Sequence, residues 1–423
     1  MKTVDTVFSN IAVLHTCASN GTPKKGGDMA NTGAIEDAAI AVDHGIIQAV
    51  GARSQILAEY TARETIDCSG NAMVPGLIDC HTHIVFAGNR AAEFEQRVSG
   101  ATYMEIMAAG GGIMSSARMV RAASAKELAE QSLPRIREMV ALGVTTLEIK
   151  TGYGLTLADE VKMLQAIELL SMKTPITLIP TFLGAHAIPA EYKSDPDSYA
   201  QLVIDEMLPA AMDWYKGSPF DGKVPFFCDV FCEQNAFTLE QSRRVLTRAR
   251  EMGYGIKIHS DEFTSLGGIP LGIDLGAASI DHLDAATEAD IAALAKSDSV
   301  GVVLPGVNFN LGSSHYANAR AMIDAGCAIA LSTDFNPGSS PSPSLPLMMA
   351  ISARYQQVTP AESLNACTIN AAYALGMGSS HGSIEPGKVA DLSLLNKPDL
   401  RCLSYEFGGN VIAEVWKNGR TVA

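Results

Sequence analysis

The sequence predicts an α/β protein, a (β/α)8 TIM-like barrel with a small β-sandwich domain formed by both chain ends. Three observations predict this fold. Short apolar runs alternate with helical patterns through the middle of the chain, helix-capping signatures follow several of these runs, and both chain ends show strands around turn signals. The predicted division assigns residues 67–380 to the barrel and residues 1–66 plus 381–423 to the small domain.

Apolar runs of strand length recur from Met73 onward. They are nearly continuous in apolar residues, which is typical of parallel strands that are buried on both faces. Eight such strands separated by helices predict a closed barrel. The runs cover residues 73–80, 144–149, 176–183, 226–231, 255–260, 278–282, 300–304 and 328–333.

Capping boxes mark the starts of helices after several of these runs. In this motif an N-cap hydroxyl and a Glu or Gln three residues later satisfy free backbone amides at the helix start. The predicted boxes pair Ser124 with Glu127, Thr238 with Gln241 and Thr359 with Glu362. They support helices between the predicted strands.

The chain ends have a different pattern, with shorter strands around tight turns. The turn signal at residues 43–45 separates runs 39–42 and 46–50, and the runs 390–395 and 411–416 precede an Asn-Gly turn at residues 418–419. Neither end is long enough to bury a sheet alone. We therefore expect the two ends to combine into one small β domain.

Composition excludes several classes of partner. The chain has 423 residues, of which 47% are hydrophobic, so a large buried core is feasible. The formal net charge of −15 leaves no basic surplus for a nucleic-acid backbone. The first residues lack an apolar signal core, and no uncharged run approaches the ~20 residues that a membrane helix needs. The sequence thus predicts a cytoplasmic protein that binds neither nucleic acid nor membrane.

The most informative motif is the His-x-His at the end of the first predicted barrel strand. His81 and His83 leave the same face of an extended strand because side chains alternate with a period of two. His259 and Asp334 also follow apolar runs, and the carboxyl ends of all barrel strands open on one face. Three imidazoles and a carboxylate suit zinc or a similar first-row ion with a bound water, which predicts a metal-dependent hydrolase.

Other polar residues follow the same strand ends. Glu262 and His282 are candidates for proton transfer or for holding an electrophilic oxygen, although a solvated carboxylate and a core histidine are the alternatives. His186 is placed to line the same mouth. Arg90 offers a planar fork for a substrate carboxylate, the alternative being a surface arginine.

The chain resembles the amidohydrolase superfamily over nearly its whole length. The resemblance extends from VPGLIDCHTH at residues 74–83 to GSIEPGKVADL at residues 382–392. Within the superfamily it is closest to the members that open an imidazolone ring in histidine degradation. The motifs that carry this closer likeness are KTGYGL at 150–155, TFLGAH at 181–186, HSDE at 259–262 and STDFNPGS at 332–339.

This resemblance implies hydrolysis of 4-imidazolone-5-propanoate, a small molecule with a carboxylate arm, to N-formimidoyl-L-glutamate. A metal-activated water would attack the ring lactam carbonyl. Carried over residue by residue, it implies metal ligands at His81, His83, His259 and Asp334. It implies substrate contacts at Arg90, Tyr103, Tyr153, His186, Asn336, Gly338 and Ser339. Proton transfer falls to Glu262, His282 and Asp334.

The chain departs from the superfamily at one position. Binuclear members carry a carbamylated lysine at the end of the fourth strand, where this chain has Phe231-Cys232-Glu233, whereas Lys150 ends the second strand. We therefore expect one metal ion, and the ligands suit zinc and iron alike. A homodimer is compatible with such a barrel. The alternatives are another cyclic amidohydrolase or a deaminase of the superfamily, and a catalytically silent scaffold.

Overall fold

The computed structural model describes residues 1–101, 105 and 110–423. The strands of these residues form two sheets, one mixed and one parallel. In chain order they are β1 Lys2–His15, β2 Ala34–Asp43, β3 Ile46–Ala52, β4 Tyr60–Asp67, β5 Ala72–Pro75, β6 Leu77–Asp79, β7 Val144–Lys150, β8 Thr177–Ala185, β9 Phe227–Cys232, β10 Gly255–Ser260, β11 Ser279–His282, β12 Val300–Val303, β13 Ile329–Leu331, β14 Leu392–Leu395, β15 Ile412–Lys417 and β16 Arg420–Thr421.

The parallel sheet is the barrel, and it contains β6 to β13 in chain order. Each strand pairs in parallel with the next one along the chain. The first and last strands meet just beyond their carboxyl ends, where Thr82 and Phe335 form a parallel bridge. There the Asp334 amide donates to the His81 carbonyl at 3.1 Å. The predicted eight-stranded barrel is thus confirmed.

Most helices of the described residues follow the barrel strands, whereas the first, Arg53–Glu59, packs against the mixed sheet. They are α1 Arg53–Glu59, α2 Ala91–Val98, α3 Ile113–Ala122, α4 Ala125–Ala141, α5 Leu157–Ser171, α6 Pro196–Leu202, α7 Leu208–Gly217, α8 Leu239–Glu251, α9 Gly268–Leu275, α10 Glu288–Lys296, α11 Pro305–Leu311, α12 Ala319–Asp324, α13 Leu345–Tyr355, α14 Pro360–Ala366, α15 Ile369–Ala374 and α16 Cys402–Tyr405. The three predicted capping boxes are present at the starts of α4, α8 and α14. Within the described residues, no helix has the length and hydropathy that crossing a membrane requires.

The first predicted barrel strand is divided between the two sheets. The sequence indicated one strand over residues 73–80, but β5 pairs with β1 and β14, whereas β6 pairs with β7. The residue at the division is Gly76. A larger residue would not fit there, because its Cβ would come within 2.4 Å of the Thr145 side chain. An apolar run does not reveal such a change of sheet, since both halves are equally buried.

The mixed sheet joins the two chain ends, as the sequence predicts. Its order is β16-β15-β14-β5-β1-β2-β3, and β4 pairs with β1. Phe8 from the first strand and Trp416 from the tail pack edge to face, with ring centroids 5.1 Å apart. These two residues come from opposite ends of the chain, so both ends are needed to complete this one core. The division at residues 66/67 and 380/381 stays a prediction.

His15, at the end of β1, makes stability depend on pH. Its Nδ1 lies 2.9 Å from Thr32 Oγ1, and burial lowers the pKa of the imidazole from 6.5 to about 4. The unfolded chain therefore binds this proton more readily than the folded one. The stabilisation that comes from keeping this imidazole neutral is fully present above pH 6.5. The free energy of unfolding falls as the pH drops from 6.5 towards 4.

Replacing His15 by glutamine should reduce this loss of stability in acid by about 2 kcal/mol at pH near 4. Urea denaturation of the wild type and the variant at neutral and acidic pH measures the difference. His44→Gln is the matched control, because the His44 side chain is 85% exposed. The same acid loss in the wild type and in His15→Gln would contradict the prediction.

Candidate active site

One cavity opens at the carboxyl ends of the barrel strands, and it brings most of the predicted site residues together. His81 lies beside it, buried next to His83. Tyr103 is outside the described residues. The predicted residues that line the cavity are His83, Arg90, Tyr153, His186, His259, Glu262, His282, Asp334, Asn336, Gly338 and Ser339. Side chains that the sequence analysis did not select also line it, among them Glu93, Arg97, Phe231 and Phe263.

The four predicted metal ligands form a buried cluster. Asp334 Oδ1 lies 3.5 Å from His81 Nε2 and 3.4 Å from His83 Nε2. His259 Nε2 lies 3.3 Å from His83 Nε2. The residues come from positions after β6, from β10 and from beyond β13, so only closure of the barrel makes them neighbours.

The backbone at two site residues is unusual. His282 has φ of 82° and Asp334 has φ of 49°, which is the left-handed region that residues other than glycine rarely adopt. Such conformations cost on the order of 1–3 kcal/mol each and persist where the surroundings enforce them. Beside Asp334, the buried carboxylate of Asp79 accepts hydrogen bonds from Ser332 and from the Thr333 hydroxyl, the latter at 2.7 Å. These bonds fix the end of β13.

The cluster fits a metal ion on the chemistry of its donors. His81 Nε2 is buried and has no hydrogen-bond partner among the described residues. Burial lowers the pKa of His81 and His83 well below its usual value, so both rings are neutral ligands. Burial also raises the pKa of Asp334 well above its usual value, and a cation bound at the cluster would favour its charged form. His282 offers a further nitrogen within 4.8 Å of His81 and His259.

Two carboxylates that the sequence analysis missed stand behind these histidines. Asp281 Oδ2 lies 2.6 Å from His81 Nδ1, and Asp229 Oδ2 lies 2.9 Å from His259 Nδ1. Burial alone would raise the pKa of Asp229, but His259 and Lys150 hold it well below its usual range. A carboxylate that accepts the Nδ1 proton leaves Nε2 free to bind metal. The available signal was a single acidic residue inside each apolar strand.

Lys150 is paired with carboxylates below the metal-ligand cluster. Its Nζ lies 2.7 Å from Asp229 Oδ2 and 3.0 Å from Glu148 Oε1, and the side chain is fully buried. Phe231, near the end of β9, lines the cavity instead of a lysine. The expectation of a single ion stays a prediction, and this arrangement is compatible with it.

Glu262 and His282 face each other in the cavity wall. His282 Nε2 lies 3.8 Å from Glu262 Oε2. Burial, reinforced by the charges of Asp334 and Asp284, raises the pKa of Glu262 well above its usual value. Burial lowers the pKa of His282 well below its usual value. A protonated carboxyl group beside a neutral imidazole suits proton transfer at neutral pH.

Arg90 also lines the cavity, and Glu93 holds its guanidinium. Arg90 Nε and Nη2 donate to Glu93 Oε2 at 2.9 and 2.7 Å. A Cβ on Gly338 would lie 2.0 Å from Arg90 Nη1, so glycine leaves the space that the guanidinium fills. Asn336 Oδ1 accepts from the amides of Gly338 and Ser339 at 2.8 Å each, which fixes this loop.

Tyr153 and His186 complete the mouth. Glu160 accepts from the amides of Gly152 and Gly154 at 3.0 and 2.8 Å, which holds the loop that carries Tyr153. His186 Nδ1 lies 3.0 Å from the Gly152 carbonyl, which only accepts, so Nδ1 carries the proton. Burial lowers the pKa of His186 to about 3 and raises that of Tyr153, so both groups are neutral.

Known proteins resemble this chain over its whole length. The model of the amidohydrolase family matches residues 72–422. An imidazolonepropionase of Chloroflexus aggregans is 51% identical over 423 residues, which cover 100% of this chain and 99% of that protein. An imidazolonepropionase of Herpetosiphon aurantiacus is 48% identical and covers 100% of this chain and 98% of its own.

Solved structures share the architecture at much lower identity. The adenosine deaminase of Xanthomonas campestris, crystallised with bound zinc, superposes with a TM-score of 0.73 at 19% identity. The match covers 99% of this chain and 93% of that one, and it shows the common fold. The chain belongs to the amidohydrolase family and, within it, to the imidazolonepropionases.

Proposed function

We infer that the protein hydrolyses 4-imidazolone-5-propanoate to N-formimidoyl-L-glutamate, a step of histidine degradation. The observation that carries this function is 51% identity to an imidazolonepropionase over the whole chain. The cluster of His81, His83, His259 and Asp334 beside Arg90 supports it, because it offers a metal site and a cation for a carboxylate arm. Turnover of freshly generated substrate by the purified protein, with none of dihydroorotate, hydantoins or purines, is the direct test.

The reaction forms one bond and breaks one. A water oxygen bonds to the lactam carbonyl carbon, the bond from that carbon to the ring nitrogen breaks, and the nitrogen takes up a proton. When bound, a first-row ion supplies a Lewis acid that polarises a carbonyl oxygen and lowers the pKa of water. The protein must also accept the proton of the water and deliver one to the nitrogen.

We assign these proton transfers to three side chains. Asp334 accepts the proton of the water, and Asn336 Nδ2 donates to its Oδ2 at 3.0 Å, which orients the carboxylate. Glu262, whose pKa burial holds well above its usual value, delivers a proton to the leaving nitrogen. His282, 3.8 Å from Glu262, holds the reacting oxygen or relays the proton.

We assign the carboxylate arm of the substrate to the part of the cavity around Arg90. Arg90 is a cation there with Nη1 directed towards Gly338, and the protonated phenol of Tyr153 offers a second donor across the mouth. His186, Asn336 and Ser339 line the space between. The assignment of Tyr103 to the same contacts stays a prediction.

The metal, the location and the oligomeric state are proposals as well. We propose a single ion. It is zinc or iron, because imidazole and carboxylate ligands serve both metals. A cytoplasmic location and a homodimer stay predictions. Elemental analysis of protein purified from its native host identifies the metal, and sedimentation of the purified protein measures the oligomeric state.

Removing a ligand should remove the metal. Wild-type protein should retain about one ion per chain, whereas His259→Ala and Asp334→Ala should retain little and show no turnover, since each change leaves an incomplete ligand set. Elemental analysis after dialysis measures this. His315→Ala, outside the cluster, is the control. Two ions per wild-type chain would refute the single site.

Glu262→Gln and His282→Ala should lower kcat by about 100-fold or more, since each removes a proton-transfer group. KM and metal content should change little. Steady-state kinetics together with elemental analysis separates these effects. Loss of the metal in His282→Ala would instead identify His282 as a ligand, and near-normal kcat in either variant would remove that residue from the mechanism.

Arg90→Ala should lower kcat/KM by roughly two orders of magnitude or more, because the carboxylate of the bound substrate is then left without its cationic partner. Arg90→Lys should recover only part of this, since an ammonium group lacks the bidentate fork. Gly338→Ala should reproduce the defect of Arg90→Ala, because its Cβ would occupy the place of Nη1. Metal content should stay unchanged in all three, and normal kinetics in Arg90→Ala would place the carboxylate contact elsewhere.

A further inference from the structure

A cluster of charged side chains fills part of the barrel interior beneath the metal ligands. Barrel interiors are normally packed with layers of apolar side chains. Here Lys150, Lys257, Glu148, Asp229 and Asp281 are all fully buried. Buried charges cost free energy unless they are paired with good geometry. Five such charges beneath one site therefore indicate that they contribute to that site.

We propose that Lys150, Asp229 and Asp281 form a positioning unit that fixes the imidazoles of His259 and His81 and thereby sets the affinity for the metal. The inference rests on the proposed ligand set. Among the described residues, Lys150 donates hydrogen bonds to Glu148 and Asp229 and to neither histidine. It acts through the two carboxylates, and these act through the Nδ1 side of each ring.

The arm through Asp229 is fully constrained. Its Oδ2 lies 2.7 Å from Lys150 Nζ and 2.9 Å from His259 Nδ1. Its Oδ1 accepts from the amides of Val230 at 2.7 Å and of His259 at 3.1 Å. Both carboxylate oxygens are thus engaged, so the carboxylate cannot rotate without losing contacts. His259 Nδ1 faces this fixed carboxylate as an ion-pair contact, and its Nε2 lies 3.3 Å from His83 Nε2 in the metal cluster.

The arm through Asp281 reaches the other histidine. Asp281 Oδ2 lies 2.6 Å from His81 Nδ1 and 3.7 Å from the same Lys150 Nζ. One ammonium group therefore links the carboxylates behind two ligands, one after the first barrel strand and one on the fifth. The shared cation couples the orientations of the two rings. A carboxylate behind a metal-bound histidine typically contributes 10- to 100-fold in metal affinity.

Lys257 provides a matched control inside the same cluster. Its side chain is also fully buried, and its Nζ donates to Glu148 Oε1 at 3.0 Å and to the Cys80 carbonyl at 2.9 Å. Among the described residues, it forms no ion pair within 4 Å with Asp229 or Asp281, although its charge, like that of Lys150, lowers the pKa of Asp281. Replacing either lysine by methionine removes one buried charge of equal size. Only the change at Lys150 removes the contact with the histidine-bound carboxylates.

The experiment measures zinc affinity, which needs no substrate. Metal-free protein is titrated with zinc against a chelator of known affinity. Lys150→Met, Asp229→Asn and Asp281→Asn should each weaken binding by about 10- to 100-fold, whereas Lys257→Met should stay within about threefold of the wild type. The shift of Tm on adding zinc should shrink in the first three variants alone. The Tm of the metal-free proteins reports general destabilisation separately.

Two results would overturn the proposal. One is equal weakening by Lys257→Met and Lys150→Met, since the loss would then follow from buried charge alone. The other is wild-type affinity in Lys150→Met or, if that variant does not fold, in the isosteric Asp281→Asn. Failure of the proposed function looks different, because the wild type would then bind zinc with the expected variant effects but would not hydrolyse imidazolonepropionate.

Discussion

The site depends on closure of the barrel between its first and last strands. The bridge between Thr82 and Phe335 and the bond from the Asp334 amide to the His81 carbonyl join segments about 250 residues apart in the chain. Because the bridge fixes register, it places the Asp334 carboxylate 3.4–3.5 Å from both imidazoles of the His-x-His motif. A parallel sheet left open at this seam would hold the same residues without a common site.

Burial is the second constraint, since it shifts the pKa of several groups in the cavity. It lowers the pKa of His83, His186 and His282, and it raises the pKa of Glu262. Neutral imidazoles bind metals, and a neutral carboxyl group can donate a proton. Enclosure by the barrel therefore prepares ligands and acid by one physical cause, which is the cost of charge in a medium of low polarity.

The cavity combines two kinds of group. Glu262 and His282 lie 3.8 Å apart, and the Arg90 guanidinium fills the space left by Gly338. Glu93 pairs with Arg90, so the arginine is held in place before any ligand arrives. Pre-organisation of this kind lowers the cost of ordering a flexible side chain on binding.

The sequence by itself determined the eight parallel strands, the capped helices and the ligand candidates, because apolar runs, capping boxes and His-x-His spacing are local signals. It did not determine the change of sheet at Gly76 or the roles of Asp229 and Asp281. These follow from contacts with Thr145, His259 and His81, which lie far away in the chain. Local patterns show which face a side chain takes, but only the closed barrel decides which side chains meet, because register and closure are properties of the whole sheet.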